Sequence, residues 1–95
     1  MADILILDSS PISSMIVQYW FPDKKVEFKA LASYLVEDIS PFTTHYKNKF
    51  PDSLIFCFTD NPSIESVAQE SNIDVCFKPL FDVEKFQSQL KALIQ

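Results

Sequence analysis

Three apolar runs in this 95-residue chain each lead into a side chain that can take part in chemistry. The runs and the side chains that follow them are residues 4–7 with Asp8, residues 54–58 with Thr59, and residues 75–77 with Lys78. Ligands collect beyond the carboxyl ends of the strands in an open parallel sheet, because those ends border one crevice. If the three runs are parallel strands, an acid, a hydroxyl and a lysine meet in one pocket.

The pattern around these runs predicts alternating strands and helices. Each run is short and apolar on both faces, which is typical of a strand covered on both sides in a parallel sheet. A helix pattern follows each run, beginning near Ser10, Asn61 and Asp82, which are residue types that favour helix starts. Three strand–helix units indicate an α/β domain. The apolar residues at helical spacing are Ile12, Met15, Ile16, Tyr19 and Trp20 in the first helix, Ile64, Val67 and Ala68 in the second, and Val83, Phe86, Leu90, Leu93 and Ile94 in the third.

The middle of the chain fits two descriptions. Val26, Phe28 and Ala30 alternate with charged residues as in an edge strand, but a helical face also fits this region. The residues of that face would be Phe28, Leu31, Leu35, Val36 and Ile39. We predict a strand at about residues 25–30, a helix over about residues 31–39, and a second helix that starts afresh at Ser40 and Pro41 and runs to about residue 50.

Composition limits the classes of function. The length and the 47% of hydrophobic residues suit a single domain over residues 1–95. A net charge of −5 disfavours nucleic acid or an anionic membrane as a partner. The absence of glycine excludes the glycine-rich phosphate loops of P-loop and dinucleotide-binding proteins. No apolar stretch is long enough to span a bilayer and no leader pattern precedes the first strand, so we expect a cytoplasmic protein.

The cysteines and the single histidine do not form a recognisable reactive motif. Cys57 and Cys76 lie in apolar strand patterns without the spacing of a metal or redox pair, so we expect two reduced core residues. His45 lies in a polar helix pattern with no cysteine or second histidine nearby, so we expect a surface residue.

The residues at the strand ends resemble those of response-regulator receiver domains. Residues 4–11 resemble the first strand and acidic turn of that family, residues 56–59 resemble its fourth strand with a switch hydroxyl at Thr59, and residues 77–79 resemble its fifth strand with Lys78 and Pro79. The resemblance implies a three-layer, flavodoxin-like parallel sheet. In that family an aspartate on the third strand takes a phosphoryl group from a histidine kinase, two acids at the first strand hold Mg²⁺, and the threonine and lysine grip the phosphoryl oxygens.

Two departures from the family predict that the pocket of Asp8, Ser9, Thr59 and Lys78 is vestigial. Ser9 stands where the second acid would be, which leaves Asp8 as the one acid of the pair and weakens any Mg²⁺ site, so we expect no cofactor. The 30 residues 23–52 are also too few for two strand–helix units, which need roughly 45 to 50. We therefore predict four strands, with one strand–helix unit and its phosphoacceptor missing.

An alternative alignment would retain the acceptor. Residues 34–41 can be laid against the family's third strand, which makes Asp38 the phosphoacceptor. That alignment needs a strand and a crossover helix between Pro22 and Ser33, although a parallel crossover alone takes a dozen or more residues. We prefer to place Glu37 and Asp38 on the solvated face of a helix.

The resemblance also implies a docking face at Phe77, Pro79, Leu80 and Phe81, because the corresponding face of receivers carries output contacts. We expect a non-enzymatic pseudo-receiver that acts as a protein–protein interaction module in bacterial signal transduction or transcriptional regulation. Its partner would be another protein, namely a regulator, kinase or output domain, or a second copy of the chain. The alternatives are a shortened but phosphorylatable receiver that uses Asp38, and a small adaptor or inhibitor that binds a regulatory protein.

Overall fold

The computed structural model describes residues 3–31, 34–77 and 83–94. Strands and helices alternate along these residues. In chain order they are β1 (Ile4–Asp8), α1 (Ile12–Trp20), β2 (Val26–Ala30), α2 (Val36–Lys49), β3 (Leu54–Phe58), α3 (Pro62–Glu70), β4 (Val75–Phe77) and α4 (Val83–Ile94).

The four strands of the described residues form one sheet in the order β2-β1-β3-β4, and every pairing is parallel. Ile4 of β1 pairs with Val26 of β2 on one side and with Leu54 of β3 on the other, and Phe56 of β3 pairs with Val75 of β4. Helices cover both faces of this sheet, as the connections between parallel strands require. The architecture is a three-layer, flavodoxin-like α/β fold with four strands, as predicted.

The two faces of the sheet carry separate apolar clusters, because successive side chains of a strand point to opposite faces. One face packs on α1 and α4 through Ile4, Ile6, Val17, Phe56, Phe58, Phe86 and Leu90. The other face packs on α2 and includes Leu5, Leu7, Leu31, Ile39, Tyr46, Ile55 and Cys57. Ile64 and Val67 of α3 are half-buried against this second cluster, so the narrow apolar stripe of α3 is packed on the core. All residues of β1 are buried, which explains the continuous apolar run in the sequence.

Helix α1 forms as predicted, but its apolar residues at helical spacing do not all face the core, and of these Trp20 is half-buried against it. Its buried residues are Ser13, Ser14 and Val17, whereas Ile12, Met15 and Tyr19 are exposed. The two serines can be buried because each hydroxyl has a hydrogen-bond acceptor within reach. A polar group that is hydrogen-bonded costs little when it leaves water, so the two serines can share the buried side of α1 with Val17 and Trp20.

Helix α2 corrects the prediction for the middle of the chain. The strand at Val26–Ala30 is confirmed, but in place of two helices from about residue 31 there is one continuous helix, Val36–Lys49, which starts later than expected and runs through Pro41. A proline inside a helix lacks a backbone donor and crowds the preceding turn, which is why a break was expected. The helix continues because Ile39, Thr43 and Tyr46, on either side of Pro41, are all buried and hold one face of α2 on the sheet.

Tyr46 also ties α2 to the edge strand. Its hydroxyl donates a hydrogen bond to Glu27 Oε2 of β2 at 3.3 Å. Burial raises the pKa of Tyr46 above its ordinary value, and the negative charge of Glu27 acts in the same direction. Both effects penalise the phenolate and favour the neutral tyrosine in the folded protein.

Lys47 and Asp74 connect α2 to the start of β3. The Lys47 ammonium lies 2.9 Å from Asp74 Oδ2 and donates to the carbonyl oxygen of Ser53, and Asp74 Oδ2 also accepts the backbone N–H of Ile55 at 2.7 Å. These bonds join three segments at the amino-terminal end of the sheet, opposite the end at which Asp8 lies.

Candidate functional site

Asp8 is the last residue of β1, and both of its carboxylate oxygens are engaged. Its side chain is buried; Oδ1 accepts the backbone N–H of Ser9 at 2.6 Å, and Oδ2 accepts the hydroxyl of Ser13 at 2.6 Å. Ser13 lies in the first turn of α1, so the two bonds fix the turn between strand and helix. Hydrogen bonds to an ionised acceptor are the stronger kind, and this pair gives the carboxylate a structural role.

Ser9 supplies hydrogen bonds to this carboxylate and no charge. In addition to its backbone bond, its hydroxyl lies 3.4 Å from Asp8 Oδ1. A carboxylate in this position would place a second negative charge beside Asp8, which is what a hard divalent cation requires. With serine there, the turn is held by neutral donors.

Thr59 follows the last residue of β3 and is also buried. Its Oγ1 accepts the backbone N–H of Asn61 at 3.0 Å, and Asn61 Oδ1 in turn accepts the backbone N–H of Ser63 at 2.9 Å. Asn61 is therefore the N-cap of α3, with Pro62 at the first helical position, as the sequence predicted. The Thr59 hydroxyl takes part in the turn that starts α3.

The sheet brings Asp8 and Thr59 to the same edge. The β1–β3 ladder reaches the pair Leu7 and Cys57, so Asp8 and Phe58 come next on the two strands and Thr59 follows at once. The ladder between β3 and β4 ends with Phe58 opposite Phe77. Three of the four predicted pocket residues, Asp8, Ser9 and Thr59, thus lie at one rim. The fourth, Lys78, lies outside the described residues, as do Pro79, Leu80 and Phe81 of the expected docking face, and the side chain of Phe77 is not described.

Asp38 lies in the first turn of α2 and is exposed, which corrects the alignment that placed it on a third strand. Its backbone N–H donates to the carbonyl oxygen of Leu35 as part of the helix start. An acidic residue in the first turn favours a helix through the helix dipole, which accounts for Glu37 and Asp38 at this position. His45 is exposed on the same helix, as predicted.

Within residues 3–31, 34–77 and 83–94, no three side chains of the His, Cys, Asp and Glu types come together in a way that could hold a metal ion. The helices of these same ranges include none with the length and apolar character needed to cross a membrane.

The structure exposes an apolar surface on α1, made of residues that the sequence showed only as apolar and helically spaced. Ile12, Met15 and Tyr19 are 63%, 66% and 83% exposed, and we refer to these three residues as the α1 stripe. A shallow groove runs beside the stripe, between α1 and the edge strand β2. The spacing of the stripe was visible in the sequence, but its outward direction follows from the burial of Ser13 and Ser14.

Cys57 and Cys76 are direct partners across the ladder between β3 and β4, which the sequence analysis did not foresee. A hydrogen bond between the two thiols raises the pKa of Cys57, with burial adding to the effect, and lowers the pKa of Cys76. Cys57 is fully buried and Cys76 is half-buried. Their spacing along the chain carried no signal, because it does not reveal which residues face one another on neighbouring strands.

Comparison with known proteins supplies no relative for this site: no protein-family model matches the chain, and no curated protein matches its sequence.

Proposed function

We propose that this chain is a pseudo-receiver, a receiver-like domain that works by protein–protein contact in bacterial signal transduction or transcriptional control and does not accept a phosphoryl group. We further propose that it acts in the cytoplasm and needs no cofactor. The observation that carries the proposal is the state of Asp8, whose two carboxylate oxygens are bonded to the Ser9 backbone and the Ser13 hydroxyl. The resemblance of the strand ends to receiver domains supports the choice of family.

Phosphoryl transfer is disfavoured because the charge of the phosphoryl group would not be neutralised. The transferred group carries negative charge on three oxygens, and catalysis consists mainly of positioning that group and neutralising its charge with a cation. At this rim the Asp8 carboxylate accepts hydrogen bonds that fix the β1–α1 turn, and the Thr59 hydroxyl accepts one at the start of α3. Ser9 adds no negative charge with which to hold a cation. Asp38, the remaining acceptor candidate, projects from an exposed helix turn, where nothing described would activate it.

The acceptor question is tested by NMR with Mg²⁺ and beryllofluoride, a small mimic of the phosphoryl group. We expect the amide signals of Thr59 and Lys78 to stay unchanged on addition of both reagents. Clear shifts at these positions would refute the proposal. Repeating the titration with Asp8→Asn and Asp38→Asn would then identify the acceptor, because the shifts would vanish only in the variant that lacks it.

The interaction part of the proposal is supported by the α1 stripe. The three side chains expose an apolar area on the order of 400 Å², which is comparable to the largest patch of a typical monomeric protein and is often functional in such proteins. They recur at positions i, i+3 and i+7 of a helix, the spacing with which one helix packs along another. Helix α1 also has no charged residue in a chain of net charge −5, so a docked helix would bury no ionic group of α1.

We therefore assign the α1 stripe to an amphipathic helix of a partner protein, with apolar residues facing α1 and basic residues at its margins. The margins are expected to be basic because the rest of the chain is acidic, and complementary charge favours encounter. The expected docking face at residues 77–81 remains a second prediction for the same function.

Binding measurements can separate the two surfaces. A protein captured with the wild-type chain would be purified, and its dissociation constant measured against Met15→Lys, Tyr19→Lys, Leu80→Asp and Phe81→Asp variants. Leu35→Lys is the matched control, because Leu35 is a similarly exposed apolar residue outside the stripe. We expect the α1 variants to weaken binding at least about tenfold, as loss of a central apolar contact does, and the control to bind normally.

Two other results would redirect the assignment. Loss of binding only in Leu80→Asp and Phe81→Asp would place the partner on the residue 77–81 face and overturn the role of α1. Sedimentation that shows a concentration-dependent dimer of the wild type, abolished by Tyr19→Lys, would identify a second copy of the chain as the occupant.

A further inference from the structure

The two cysteines meet the geometric requirements of a cross-strand pair. Cys57 and Cys76 lie directly opposite each other in the β3–β4 ladder. Neighbouring strands lie about 4.8 Å apart, which falls within the range of Cα separations, about 4.4 to 6.8 Å, that a disulfide can span. Both side chains belong to the same face of the sheet, since both pack in the cluster beneath α2 and α3.

The two thiols differ in a way that suits sequential attack. Cys76 is half-buried and has a lowered pKa, so it is the thiol that can reach a reagent as a thiolate. Cys57 is fully buried and lies opposite Cys76 in the ladder, so it can attack only a sulfur atom at the position of Cys76. The carboxylates of Asp8 and Glu65 also act on this pair and oppose ionisation, Asp8 at Cys57 and Glu65 at both thiols.

We propose that Cys57 and Cys76 form a reversible disulfide across β3 and β4 when the protein meets a low-molecular-weight disulfide of the glutathione type. In the first step the Cys76 thiolate attacks the reagent, forms a mixed disulfide and releases one reagent thiolate. In the second step Cys57 loses its proton and attacks the Cys76 sulfur, and the second reagent thiol leaves with that proton. The protein loses two protons and two electrons, and with these the reagent is reduced to two thiols.

The position of the disulfide shields one of its sulfur atoms and leaves the other accessible, so that the bond can be reduced again. The Cys57 sulfur is shielded by the core, whereas the half-buried Cys76 sulfur stays open to an incoming thiol, which can reverse the reaction. The bond would also join β3 to β4 one residue before the Phe58–Phe77 pair, at the edge of the sheet where Thr59 lies. This inference does not depend on the proposed function.

The test treats the folded, reduced protein with glutathione disulfide, traps free thiols with N-ethylmaleimide and measures the mass. We expect a species lighter by two hydrogens that takes up no maleimide, a proteolytic fragment in which β3 and β4 are cross-linked, and full reversal by dithiothreitol. Cys57→Ser should accumulate one glutathione adduct on Cys76, because the attacking thiol is gone. Cys76→Ser should stay unmodified, because Cys57 is buried.

A parallel reaction in urea controls for the contribution of the fold. The internal disulfide should form faster in the folded protein than in the unfolded chain, because the fold holds the two sulfurs together. Glutathione adducts that persist on the wild type, disulfide-linked dimers as the main product, or ring closure only in urea would each overturn the proposal. Unreacted thiols in the folded wild type would overturn it as well.

Discussion

Replacement of Ser13 by alanine tests whether Asp8 is a structural group. The change removes the hydroxyl that Asp8 Oδ2 accepts at 2.6 Å and leaves a buried carboxylate oxygen without that donor. A hydrogen bond to a charged group contributes about 1.5 to 3 kcal/mol to stability. We expect Ser13→Ala to lower the free energy of unfolding at pH 7 by an amount in this range.

Ser14 provides a matched control on the same helix. It is also buried, and its hydroxyl donates at 2.6 Å to the carbonyl oxygen of Pro11, which is a neutral acceptor. A neutral hydrogen bond contributes about 0.5 to 1.5 kcal/mol, and the gain in helix propensity on replacing serine by alanine is the same at both positions. Ser13→Ala should therefore be less stable than Ser14→Ala by about 1 kcal/mol or more.

Urea unfolding measures both variants. If the free energy of unfolding falls by about 1 kcal/mol per M of urea, the midpoint urea concentrations of Ser13→Ala and Ser14→Ala should differ by about 1 M. In an Asp8→Asn background the cost of Ser13→Ala should fall to about that of Ser14→Ala, because the acceptor is then neutral. Equal midpoints for Ser13→Ala and Ser14→Ala in the wild-type background would show that the Asp8 carboxylate does not depend on Ser13, and the structural role would have to be abandoned.

Three further predictions concern the core and α2. Phe86→Ala should cost about 3 to 5 kcal/mol in chemical unfolding, since Phe86 is 1% exposed, whereas Leu93→Ala on the same helix, at 42% exposure, should cost much less; similar losses would contradict the described packing of α4. Pro41→Ala should raise the thermal midpoint, because α2 regains a backbone donor and loses a steric clash, and an unchanged or lower midpoint would argue that α2 is not continuous there. Because the pKa of Tyr46 is raised in the fold, the unfolded chain ionises first as pH climbs through the ordinary value of 10.0, so stability should fall from there upward. The stability of Tyr46→Phe should fall less steeply over that range, and identical pH profiles of the two proteins would contradict the raised pKa of Tyr46.

The strand and helix pattern followed from the sequence because its signals are local. A doubly buried strand such as β1 needs apolar side chains at successive positions, and a helix start needs a capping side chain such as Asn61 next to Pro62. These requirements involve residues within one turn or one strand. The placement of Asp8 and Thr59 at one edge then followed from parallel strand direction alone.

Local signals were misleading where distant contacts outweighed them. Pro41 is a helix breaker by its own chemistry, yet the burial of Ile39 and Tyr46 on the sheet carries α2 through it. In α1 the apolar spacing did not reveal which side chains are buried, because Ser13, bonded to Asp8, is buried and Tyr19 is exposed.

By itself, the amino-acid sequence determined that this protein is an α/β domain with buried parallel strands, and that an acid and a hydroxyl end two of them. The tertiary structure alone decided that Asp8 is bonded to Ser13, that α1 presents Tyr19 to solvent, and that Cys57 faces Cys76. The physical reason is range. Strand and helix preferences depend on neighbours along the chain, whereas strand register and helix orientation depend on which arrangement buries apolar area while leaving every buried polar group with a partner.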